Sequence, residues 1–269
     1  MISRREVLAG AAGVLVTPNA QADVDPGWRP RDLDVREVLV EGLQSKRFVL
    51  GVPNHVASDA RLPLLVLLHG LGETADERTG AWAWFERYGL GTSYDRLRAA
   101  GSMRGLVLAC PFMPDLPFGD PRALDAYTHW IVETVVRRAR REAPAIDSAS
   151  ATYLGGCSLG GHFSLEVFLR RPDAFGAWGG VQTAIGEAAG ARYAQRLAEV
   201  LGQAGPRELL VETSTGDPFR AGNAALSAGL TRAAIRHAFV ELSGPHDQKW
   251  LRSSVTERML SWFDRIPRP

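Results

Sequence analysis

Cysteine is scarce in this chain: Cys110 and Cys157 are the only two in 269 residues. That is too few for a disulfide scaffold, and no Cys/His cluster has zinc-finger spacing. An excess of one charge is missing as well. The 31 Lys and Arg offset 30 Asp and Glu to a formal charge of +1. This argues against broad nucleic-acid binding, because neutralising many phosphates needs a surplus of cations. The longest apolar run, Val7 to Val16, falls well short of the ~20 residues of a membrane span. Internal repeats, low-complexity tracts and long linkers are lacking too. What remains is ordinary globular composition, 45 % hydrophobic and 23 % charged, in a chain long enough to bury a large core. Composition alone leaves an enzyme or a binding domain.

The N-terminus reads as an address. Ser3-Arg4-Arg5-Glu6-Val7-Leu8 precedes the short apolar stretch Ala9 to Val16, followed by Ala20-Gln21-Ala22. A charged start, an apolar stretch and an A-x-A site follow the order of a secretory signal. The arginine pair resembles the twin-arginine export signal; the alternative is an amphipathic first helix with a chance Arg pair. The expectation is cleavage after Ala22 and an exported protein, periplasmic or extracellular. Residues 23–32, with two prolines, a glycine and no periodicity, read as a surface arm.

From residue 33 to 269 the pattern is that of one α/β domain. Alternating Leu33, Val35, Val38, Val40 and then Phe48, Leu50, Val52 predict a hairpin turning around Glu41 to Ser45. Leu64 to Leu68 is a continuous apolar run, as in a strand buried on both faces. Further strands are predicted at Leu106 to Cys110, Thr152 to Gly155, Ala177 to Val181, Glu208 to Val211 and His237 to Leu242, making eight. Helical spacing marks Pro121 to Glu142, a segment after Gly161, Ala191 to Leu201, Asn223 to Arg236 and Gln248 to Arg265. The arginines at 137, 138, 140 and 141 read as a solvated helix end, with an anion site as the alternative. Alternation of strands and helices implies a mostly parallel sheet with helices on both faces.

Gly156-Cys157-Ser158-Leu159-Gly160 fits G-x-S-x-G between the fifth strand and a helix. A turn this sharp exposes the serine hydroxyl and leaves no room for side chains two residues away on either side. With that context, the sequence resembles the α/β-hydrolase family, in particular its esterase D-like branch, which includes S-formylglutathione hydrolases, feruloyl and acetylxylan esterases and mycolyl transferases. The resemblance implies the α/β-hydrolase fold and a nucleophile, Ser158, followed in the chain by an acid and a histidine on loops after late strands. Of six histidines, His246 in Ser243-Gly244-Pro245-His246-Asp247 is the one where the family places its base. Asp217, in Gly216-Asp217-Pro218-Phe219, resembles the acid; Glu212 is the alternative. Asp247 reads as a loop or substrate-side residue. By match to the HG-x turn, His69-Gly70-Leu71 places one oxyanion-binding N–H on Leu71, and the residue after the nucleophile places the other on Leu159. His69 itself reads as a brace for that loop.

Loops at the carboxyl ends of the strands should build the substrate pocket. Trp82, Trp84, Phe85, Phe112, Met113 and Phe118 are candidates, each equally readable as core. Trp250 resembles the family's aromatic after the histidine. The family's strand order also puts the third strand between those ending in Cys110 and Cys157. Two strand spacings are roughly 9–10 Å, beyond the ~7 Å reach of a disulfide, so both thiols should be free. The implied activity is hydrolysis of carboxylic esters, with no metal or organic cofactor, on a small-molecule or polymer-linked ester. The alternatives are acyl transfer to an alcohol by the same triad, and a non-enzymatic hydrolase-like binding domain. The oligomeric state is not readable, and the absence of a long lid insertion weakens the case for a lipase.

Overall fold

The computed structural model describes residues 24, 25, 27–40, 46–57 and 59–269. The predicted signal segment 1–22 and the hairpin turn 41–45 lie outside the described residues. Eight strands form one sheet: β1 (Leu33–Leu39), β2 (Arg47–Pro53), β3 (Leu64–Leu68), β4 (Val107–Pro111), β5 (Thr152–Cys157), β6 (Ala177–Val181), β7 (Glu208–Gly216) and β8 (Ala238–Pro245). Their order is β1-β2-β4-β3-β5-β6-β7-β8. β1 and β2 pair antiparallel from Leu33↔Pro53 to Leu39↔Arg47, and β2 also runs antiparallel to β4. All other pairings are parallel.

The helices are α1 (Glu77–Glu86), α2 (Leu90–Ala99), α3 (Pro121–His129), α4 (Arg137–Glu142), α5 (Leu159–Arg170), α6 (Glu187–Ala204), α7 (Arg220–Arg232), α8 (Gln248–Trp250) and α9 (Thr256–Arg265). π-helical turns, Trp130–Val136 and Leu251–Val255, join α3 to α4 and α8 to α9. The expected helices over 121–142 and 248–265 are therefore each continuous, with one loosened turn. Two helices escaped the sequence reading. α1 and α2 fill the β3–β4 crossover, where Asp76 accepts the Thr79 N–H at 2.7 Å and so caps α1.

The Leu/Val run of β3 shows how the two faces divide. Leu64, Val66 and Leu68 pack with residues of α3, α5, α6 and α7, whereas Leu65 and Leu67 pack with α1, α2 and α9. Every residue of the run is fully buried because helices cover the sheet on both sides. Asp25 and residues 27–32 are laid along α1 and α2: Asp25 donates its N–H to Glu86 C=O, and Asp95 accepts the Arg31 and Asp32 N–H groups. Among the described residues, no helix is long and apolar enough to cross a membrane.

The chain winds from β3 outward to β4 and then returns across β3 to β5. This reversal opens a crevice beyond the carboxyl ends of β3 and β5, where ligands bind in open α/β sheets. Leu68 lies opposite Gly156 in the parallel register, so the loops after both strands meet there. The same order separates Cys110 on β4 from Cys157 on β5 by the whole of β3. Both thiols are free and buried, and burial pushes each well above its ordinary pKa. Denatured protein without reductant should therefore titrate two thiols per chain; none would refute this strand order.

Candidate active site

β5 ends in a turn that no ordinary residue adopts without strain. Ser158 has φ 53° and ψ −118°, a conformation costing about 1–3 kcal/mol. The turn is held from both sides: the Ser158 N–H donates to Val181 C=O at 2.9 Å, and its C=O accepts from His162 and Ala184. A Cβ on Gly156 would lie 2.5 Å from the Gly160 backbone, and one on Gly160 would lie 2.3 Å from Leu68 C=O. Both glycines are thus demanded by close approach of strand, helix and the loop after β3.

Asp217 follows β7 and His246 follows β8 directly. His246 Nδ1 is 2.8 Å from Asp217 Oδ1, and Nε2 is 3.0 Å from Ser158 Oγ. The carboxylate fixes the tautomer: Nδ1–H donates to Asp217, leaving Nε2 to accept the serine proton. Asp217 Oδ1 also accepts the Phe219 N–H at 3.0 Å, and Oδ2 accepts the Thr213 hydroxyl at 2.6 Å. The Asp217 side chain is fully enclosed, while His246 stays 18 % exposed toward the crevice. Phe219 sets its ring against His246, with centroids 5.7 Å apart. Gln182 donates to Pro245 C=O at 2.9 Å and steadies the residue before the histidine. The links from His246 to Ser158 and Asp217, and from Gln182 to Pro245, are long-range in sequence, so only the fold brings them together.

Leu71 and Leu159 each begin a helical segment, so their N–H groups have no partner within their own helix. The two segments face each other across the β3–β5 register. His69 braces the first of these loops. Its Nδ1–H donates to Gly70 C=O and its Nε2 accepts the Met113 N–H, both at 2.9 Å. Burial holds the His69 pKa below its usual value, which suits this neutral bridging role.

Several residues singled out from the sequence lie elsewhere. Glu212, the alternative acid, is buried on β7 and ion-paired with Arg258 of α9. Asp247 caps α8 by accepting the Trp250 N–H at 2.7 Å. Trp84 is not brought to the crevice. It is 1 % exposed in the core, its ring 5.1 Å from Tyr88, because the presumed loop is helix α1 turning that face inward. Trp82, on the same helix, packs against Trp28 at 5.5 Å and donates to Glu37, on the β1 side. Phe112 is 7 % exposed and stacks on His69 at 5.8 Å, behind the loop after β3. Trp250 is buried and donates its indole N–H to Ser243 C=O at 3.0 Å, supporting the histidine loop from below.

Phe118 does reach the site's margin. It packs with Phe219 on one side and lies 5.2 Å from His162 on the other. There it borders a cleft of about 450 Å³ shared with Phe163, Glu166, Tyr193 and Arg196. No sequence signal marked this cleft, since its residues come from three separate segments. Burial alone would raise the Glu166 pKa, but hydrogen bonds from Arg196 and Tyr193 outweigh it and hold the carboxyl down at about 2. His162 is pushed down by burial to about 4 from an ordinary 6.5. The folded chain thus refuses a proton that the unfolded chain binds. Stability is intact above pH 6.5 and falls as pH drops toward 4, by about 3 kcal/mol from this group. Urea unfolding across this range should show that loss, and a His162→Gln variant should show a flatter curve. Parallel curves would place His162 in water.

No family model matches the chain, and no curated protein matches it. Solved structures do. A ferulic acid esterase superposes with a TM-score of 0.72 at 17 % identity, covering 88 % of this chain and 100 % of that one. The fold is the α/β-hydrolase fold. An S-formylglutathione hydrolase from Staphylococcus aureus gives a TM-score of 0.61 at 16 % identity, covering 88 % and 99 %. The feruloyl esterase module from Clostridium thermocellum complexed with sinapinate gives 0.70 at 13 %, covering 91 % and 94 %. Such α/β-hydrolase neighbours share the architecture with this chain at low identity.

Proposed function

We propose that this chain is an exported serine hydrolase that cleaves carboxylic esters. The observation that carries the reading is the unbroken hydrogen-bond chain from Ser158 through His246 to Asp217. Ser158 Oγ attacks the ester carbonyl as its proton passes to His246 Nε2. The Leu71 and Leu159 N–H groups hold the negative charge that develops on the carbonyl oxygen. His246 returns the proton to the departing alcohol, leaving an acyl-serine. Water, deprotonated by His246, then releases the acid. Asp217 keeps the imidazole in place and stabilises the imidazolium throughout.

The ferulic acid and feruloyl esterases among the structural neighbours support the ester as the substrate class. A fluorophosphonate probe on folded protein tests the reading directly. Stoichiometric labelling at Ser158 and turnover of short-chain nitrophenyl esters are expected; folded protein that does not label would return the chain to the binding-domain reading. Product analysis with a sugar acceptor distinguishes hydrolysis from acyl transfer. For export, the arginine pair Arg4-Arg5 is the feature that carries the proposal. Replacing both with lysine should keep the protein inside the cell, and the exported form should begin at Asp23.

A further inference from the structure

Behind the oxyanion loop lies a buried carboxylate that none of these steps uses. Glu73 ends the short turn that begins at Leu71, and it is 2 % exposed. Its oxygens accept from three donors. The Tyr88 hydroxyl donates to Oε2 at 2.5 Å, while Arg87 at 3.1 Å and the Gln248 amide at 2.7 Å donate to Oε1. Arg87 and Tyr88 follow α1, whereas Gln248 stands two residues after His246. Tyr88 in turn accepts the Gly70 N–H at 3.2 Å. Burial pushes the Tyr88 phenol well above its ordinary pKa, so it keeps its proton and the direction of each bond is set. The order is Gly70 N–H to Tyr88 O–H to Glu73 carboxylate.

Gly70 precedes Leu71, whose N–H the proposed mechanism uses to hold the oxyanion. A Cβ built on Gly70 would lie 3.4 Å from Glu73 Oε2 and 3.9 Å from Ser158 Cβ. The Glu73 carboxylate and Ser158 therefore both border Gly70. An anion there would oppose the negative charge of the transition state, and the Arg87 pair offsets it. Arg87 and the Gln248 NH₂ can only donate, so a glutamine in place of Glu73 must turn its own NH₂ to Tyr88, whose hydroxyl then has to leave its present bond and accept instead.

We infer that Glu73 is a positioning residue that locks the oxyanion loop, through Tyr88, to the histidine loop, through Gln248. The inference rests on the esterase reading and deepens it. An oxyanion donor acts on the transition state and not on the bound ester, so its displacement lowers kcat and leaves KM in place. Removing such a donor outright costs about 10²–10³. Misplacing it should cost part of that, so folded Glu73→Gln should lose about 10–100-fold in kcat, with KM unchanged within about threefold.

Tyr88→Phe should have the same effect. The double variant should be no slower than the slower single, because both break one connection. Wild-type protein is assayed first with the fluorophosphonate probe and a nitrophenyl ester, and failure there sinks the esterase reading. If wild type is active, an unchanged kcat in folded Glu73→Gln, or multiplying losses in the double variant, overturns this inference alone. Should Glu73→Gln not fold, Tyr88→Phe and Gln248→Ala carry the test, and normal kcat in both overturns it.

Discussion

Ser158→Ala should abolish turnover of short-chain nitrophenyl esters, lowering kcat by on the order of 10⁶. In the proposed mechanism this hydroxyl becomes acylated, and among the described residues it is the group hydrogen-bonded to His246 Nε2. The adjacent thiol, Cys157, is buried, and burial keeps it protonated. The substitution removes one oxygen from a turn held by backbone bonds to Val181, His162 and Ala184, so the melting temperature should hardly move. The variant should also lose fluorophosphonate labelling. Folded Ser158→Ala retaining wild-type kcat would end the proposal.

The second large effect concerns Asp217. Asp217→Ala should lower kcat by on the order of 10⁴, as removing the acid alone does in a serine triad. Asp217→Asn should be milder than in the general template, where the amide enforces the wrong imidazole tautomer at a cost of about 10⁴. Here the oxygen that meets His246 also accepts the Phe219 N–H. An asparagine must therefore present its carbonyl at that position and turn its NH₂ toward the Thr213 hydroxyl, which can rotate to accept. The correct tautomer survives and only the charge is lost. The expected drop is about 10–100-fold, the worth of one charge-assisted bond at about 1.5–3 kcal/mol. Steady-state kinetics of both variants decide it: equal losses would show that Phe219 does not orient the side chain.

Much of the architecture was legible because its signals are local. Alternation gave away the β1–β2 hairpin, the Leu64–Leu68 run marked a strand buried on both faces, and the eight strands lie where their patterns placed them. α1 was missed because its sequence, Glu77 to Glu86, holds a central glycine and two tryptophans that imitate a pocket loop. Its error carried over to Trp82 and Trp84, which read as substrate contacts and lie in the packing between α1 and its neighbours.

By itself, the sequence determined which residues could form a sharp serine turn, which strands could be buried, and in what order serine, acid and histidine follow along the chain. Those are properties of steric spacing and periodicity, and each is carried by a few adjacent residues. Only the tertiary structure decided which polar groups meet. Asp217 is 29 residues from His246, and His246 is 88 from Ser158. Gln248 is 175 from Glu73. No local pattern encodes such pairs, because a buried donor and its acceptor are matched by sheet order and loop path. The reversal at β3 brings them to one crevice, where each buried polar atom must find its partner.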